Sequence, residues 1–163
     1  RTRGWHWDTP AGYGRFMSGK ERDLDSPHRR PDSASDDLVA AVGRVSEAWE
    51  TIERARGRLF DFHQLTGHAH LLLIKAVEQL RAAGAPEAAD LVERELVGLN
   101  VLEGRWTFQI VEEYDTVYYD TMRDAVAAIT QEHMEGRRHV FEAELKQRVR
   151  VDGQPGQEAN PLD

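Results

Sequence analysis

From Leu38 to Leu80 the chain returns to the same side of a helix every four and then three residues without losing step. The series reads Leu38, Val42, Val45, Trp49, Ile52, Arg56, Leu59, His63, Thr66, His70, Leu73, Val77 and Leu80. A strict 4-3 alternation is the seam of a helix packed in coiled-coil fashion, because such positions stay on one face. Ser35 or Asp36 caps its start, since a short polar side chain can accept a bond from a first-turn amide. Gly84 supplies the stop and Pro86 opens the next helix. Thr66-Gly67 leaves two arrangements open, one helix over 36–83 or two that nearly continue each other. A glycine inside a helix costs roughly 1 kcal/mol relative to alanine.

The same reading predicts a short helix over 86–97 and a connection over 98–105. A second long helix follows over about 106–131, with its seam at Phe108, Val111, Asp115, Tyr118, Met122, Ala125 and Ile129. Register fails around Gly136, and a last helix over 138–150 buries Val140, Phe141 and Leu145. No segment alternates convincingly enough for a strand. The expected fold is therefore all-α: a long antiparallel helical hairpin completed to a helical bundle, behind an extended N-terminal arm. The hairpin leaves a further apolar face (Phe60, Phe62, Leu65, Leu72, Tyr114, Tyr119) that needs a cover, from the arm and last helix or from a second copy.

Three divisions follow: an aromatic and basic arm over 1–35, a helical bundle domain over 36–150, and a flexible tail over 151–163. The arm holds too many Gly and Pro for a helix, at Gly4, Pro10, Gly12, Gly14, Gly19, Pro27 and Pro31. Yet Trp5, Trp7, Tyr13 and Phe16 are foreign to a free tail, since such tails are poor in aromatics. These four are the candidate partner-binding residues.

Charge sharpens the division. The chain carries a formal net charge of −8. Residues 1–31 hold seven Lys/Arg against four Asp/Glu, and the remainder holds 14 against 25. An acidic body disfavours general binding to phosphate backbones, which draws its affinity from Lys and Arg. Nucleic acid is thus not the expected partner except through the basic arm. The longest apolar run, Leu71-Leu72-Leu73-Ile74, is closed by Lys75, far short of the roughly 18 residues a membrane span needs. Arg1–Pro10 carries no apolar run of a secretory leader, and the chain has no cysteine. A cytoplasmic location is the expectation.

Candidate chemistry gathers where the first seam turns polar, at Arg56, His63, Thr66 and His70. Folding the hairpin about the whole of 84–105 pairs positions whose numbers sum to about 189. That registration puts His70 near Tyr118, Tyr119 and Met122, one turn from Asp115, with His63 near Val126 and Ile129 and Arg56 near His133. The expected polar layer is Arg56, His63, Thr66, His70, Asp115 and Tyr118. A buried layer of this kind ordinarily fixes register and partner choice. It could also hold a divalent metal, since His and carboxylates are suitable ligands. The local grammar for a metal is missing, because no His stands three residues after a Glu and no two His stand four apart. The acidic cluster Glu112, Glu113, Asp115 reads as a solvated face. Gly14 to Lys20 resembles a phosphate-binding loop, but Glu21 stands where the metal-binding Ser or Thr belongs, and no strand precedes it.

The expected function is a non-catalytic helical interaction or assembly protein, without a cofactor, whose arm docks on a protein partner or on a second copy, a homodimer being the simplest case. The alternative is a metal-binding or metal-dependent hydrolytic bundle enzyme using the His/Asp/Tyr layer.

Overall fold

A computed structural model describes Leu24 and residues 26–151, 153–158 and 160. The protein is all-α. Its helices are α1 (Asp36–Ala82), α2 (Pro86–Glu95), α3 (Thr107–Glu113), α4 (Asp120–Met134) and α5 (Val140–Val149). A π-helical turn, Tyr114–Tyr119, joins α3 to α4 without a break. Among the described residues the only β-type pairing is an isolated bridge between Leu102 and Arg105.

Helix α1 starts where the sequence places it. The Ser35 hydroxyl accepts the Leu38 amide at 3.2 Å, satisfying one of the donors that a helix start leaves open. The helix runs through Thr66-Gly67 unbroken for 47 residues. It ends at Gly84, whose φ of 77° an L side chain adopts only with strain. There the Ala85 amide reaches back to the Leu80 carbonyl and the Gly84 amide to that of Arg81, closing two carbonyls the helix would otherwise leave bare. All thirteen seam positions of α1 are buried or half-buried. Between Trp49 and Lys75 the only other position not exposed is Phe60.

The chain divides into two compact units. One comprises the described residues up to Glu47 and from Val126 on, with a core of Ala34, Val39, Val42, Met134 and Val140 against which Leu38, Ile129 and Phe141 pack. Gly43 lets Phe141 come close, for a Cβ there would stand 3.1 Å from the Phe141 ring. Arg30, just before α1, grips buried Glu144 of α5 with Nε and Nη2 along one edge of its guanidinium (2.6 Å from Nη2 to Oε2) and reaches Asp36 through Nη1 at 2.6 Å. A fork-to-fork pair of this kind is strong and directional. Leu24 and Pro31 are buried, so the end of the arm next to α1 belongs to this core.

The second unit, residues 48–125, holds the rest of α1, then α2, α3, the π turn and the start of α4. It is an antiparallel hairpin whose turn is at Gly84. Cross-pairs mark its register: Arg81 with Asp90 and Glu93, His63 with Thr107, Arg56 with Asp115, and Glu53 with Tyr119. The residue numbers of these pairs sum to about 171, which corrects the value near 189 expected from the sequence. The expectation treated all of 84–105 as the turn. Instead α2 already runs back along α1 from Gly84, and the connection after it keeps pace, so α3 begins opposite His63.

The phase of the return helix also departs from expectation. Thr107, Val111, Asp115, Tyr119 and Met122 turn inward, while Phe108, Tyr118 and Ala125 are exposed. Three successive steps of four would drift off one face of an ordinary helix at 3.6 residues per turn. The π turn absorbs the drift. Its bond from the Asp120 amide to the Asp115 carbonyl spans five residues rather than four and admits one extra residue.

Candidate interaction surface and the polar pairs of the seam

Arg56, His63 and His70 each have a partner of their own across the hairpin, where one shared layer was expected. Arg56 donates two bonds to Asp115, Nε to Oδ1 and Nη2 to Oδ2, both at 2.8 Å. Its guanidinium carbon lies 4.6 Å from the centre of the Tyr119 ring and 4.9 Å from that of Phe60. A weakly hydrated planar cation suits such a site, stacked between rings and forked onto a carboxylate. Tyr119 donates its hydroxyl to Glu53 at 2.8 Å and packs its ring 4.9 Å from that of Trp49. The π turn brings Asp115 and Tyr119 to the same side, so this clasp depends on it.

The electrostatics follow from these contacts. The hydrogen bonds from Arg56, with its charge, hold the Asp115 carboxyl below the usual carboxylate range against the opposing effect of burial. Asp115 in turn raises the Arg56 guanidinium above its ordinary value. The hydrogen bond to Glu53 pushes the Tyr119 phenol up, because a phenolate would lose that donor and face the carboxylate. Desolvation raises the Tyr114 phenol.

His63 and His70 are placed about two and four turns further along. The Nδ1 atom of His63 lies 2.7 Å from the Thr107 hydroxyl, on a buried residue that opens α3. Either group can be the donor, depending on the imidazole tautomer. The His70 ring packs 5.4 Å from the Trp106 ring. Thr66, between them, is half-buried. Tyr118 is exposed and tilts against Tyr114 at 5.4 Å. The expected meetings of His70 with Asp115 and the tyrosines, of His63 with Val126 and Ile129, and of Arg56 with His133 are therefore corrected by the register. Among the described residues no three His, Asp or Glu side chains come together as a metal would require. Trp5, Trp7, Tyr13 and Phe16 lie outside the described residues.

The sequence reading missed Thr107, Trp106, Glu53 and Trp49 as partners of the polar positions. The signal for Tyr119 was present as the spacing Val111, Asp115, Tyr119, which only a widened turn can keep on one face.

Against this satisfied interior stands an unsatisfied exterior. Among the described residues, thirteen of the fifteen exposed large hydrophobic side chains lie in the unit 48–125. Phe62, Leu65, Leu71, Leu72 and Ile74 sit on the open faces of α1, and Leu99, Leu102, Trp106, Phe108 and Val117 follow on the return path. Single exposed apolar residues are ordinary on a protein surface, but contiguous ones mark contact sites. No helix among the described residues is long and apolar enough to cross a membrane. Comparison of the chain with known protein families, with curated proteins and with solved structures finds no match.

Proposed function

We propose that this chain is a non-catalytic helical assembly protein that self-associates through the unit 48–125, with its N-terminal arm docking on the second copy. One observation carries the reading: a hairpin whose polar groups are paired internally leaves thirteen large apolar side chains in water. At about 25 cal/mol per Å² of apolar surface, covering even part of that face is a substantial driving force for association. A second copy laid against the open apolar face would cover it, as helical units with such a face commonly require. The arm fits the same surface in chemistry. Trp5, Trp7, Tyr13 and Phe16 supply aromatic anchors, and the basic balance of residues 1–31 complements an acidic body.

The test is light scattering over a range of concentrations on the full chain and on one lacking residues 1–23. The cut stops before Leu24, Arg30 and Pro31, which belong to the first unit's core. The full chain should assemble with rising concentration, and the shortened one should assemble at least tenfold less tightly with unchanged helical circular dichroism. A full chain that remains monomeric throughout refutes the reading. Assembly indifferent to the deletion removes the arm from it.

A further inference from the structure

We infer that the second copy docks in an antiparallel, two-fold arrangement along the outward face of α1, with the axis passing at His68. The inference rests on the assembly reading above and specifies its geometry. At 100° per residue, the positions facing directly away from the buried seam of α1 between Arg58 and Glu78 are centred on His68. Leu65, Leu71 and Leu72 stand around it, 69%, 58% and 51% exposed.

Charge selects the occupant and its direction. Reading outward from His68 by equal steps, Leu65 and Leu71 lie three residues away, Asp61 and Lys75 seven, and Arg58 and Glu78 ten. A two-fold axis through His68 therefore lays Leu65 on Leu71, Asp61 on Lys75 and Arg58 on Glu78, each twice over. All four charged residues are exposed on α1. Arg58 and Asp61 also pair within the helix at 3.0 Å, an exposed contact that a partner's charges can join. A parallel partner would set Asp61 on Asp61, Lys75 on Lys75 and Glu78 on Glu78, and like charges in contact oppose pairing. The face is thus complementary to itself in one direction only, as an isologous contact requires.

The chain has no cysteine, so a single introduced thiol reports the geometry directly. His68→Cys should give a disulfide-linked dimer in high yield under mild oxidation. Asp61→Cys alone should not, whereas a mixture of Asp61→Cys and Lys75→Cys chains should cross-link to each other. Lys75→Glu should weaken association at least tenfold in light scattering, and the exchange Asp61→Lys with Lys75→Glu should restore it. If the wild-type chain dimerises but His68→Cys does not cross-link, or if Asp61→Cys cross-links with itself, the antiparallel arrangement is wrong and the assembly reading survives. A wild-type chain that neither dimerises nor cross-links through His68→Cys overturns both.

Discussion

Arg56 and Asp115 are the residues at which sequence and structure agree in importance and differ in partnership. Each is a charge in an otherwise apolar seam, and each is left about a third exposed or less, at 32% and 26% of its side chain. Removing one partner would leave the other half-buried and unpaired, so Asp115→Asn should cost about 1–2 kcal/mol at neutral pH, read from chemical denaturation. The pair also gives a pH signature. Because Arg56 holds the Asp115 carboxyl below its unfolded value, the stabilisation is fully present above the ordinary carboxylate range, near pH 4. It is lost as pH falls through the lower folded value. Wild type and Asp115→Asn should accordingly differ at pH 7 and converge as the pH falls well below the ordinary carboxylate range. A difference that persists unchanged in acid would show that the carboxylate charge is not what the clasp uses.

At the scale of elements, the two long helices differ in how they keep a face. Helix α1 does so by spacing alone, and its thirteen seam positions are all withdrawn from solvent. The return helix does so by a π turn, which trades regular bonding for a corrected phase and carries Asp115 and Tyr119 inward together. The two glycines of α1 that lie within the hairpin, Gly57 and Gly67, meet nothing within 4 Å of an added Cβ. Gly57 is exposed. Gly57→Ala should therefore raise stability by roughly 0.5–1 kcal/mol, through helix propensity and a less flexible unfolded chain. A thermal melt in which the variant unfolds at or below the wild-type temperature would show that the glycine is needed for a close contact there.

At the scale of the whole molecule, the chain is two units with different economies of surface. The first closes on itself around Met134, whose side chain is 1% exposed, and around the buried Arg30–Glu144 pair. The second pairs its polar groups and leaves its apolar ones outside. If assembly covers them, binding favours the folded state by mass action, and the melting temperature rises with protein concentration. Wild type should show that rise, and Leu65→Glu, which puts a charge at the centre of the open face, should flatten it. A melting temperature independent of concentration in both chains would mean that the face stays in water.

The sequence alone determined that the chain is helical, the start of α1 at Ser35 or Asp36, its stop at Gly84 and the face it buries, because capping and a 4-3 repeat are local properties of the chain; it left open whether α1 breaks at Thr66-Gly67. It also singled out Arg56, His63, His70 and Asp115 as polar positions in apolar seams. It could not say whom they meet. The register depends on where the return path begins, and α2 starts it at Gly84, before any contact between the long helices is made. The exchange of Tyr118 for Tyr119 likewise followed from a π turn, which forms only where packing against α1 rewards the extra residue. Pairing and phase are properties of two surfaces brought together, and no single stretch of sequence contains them.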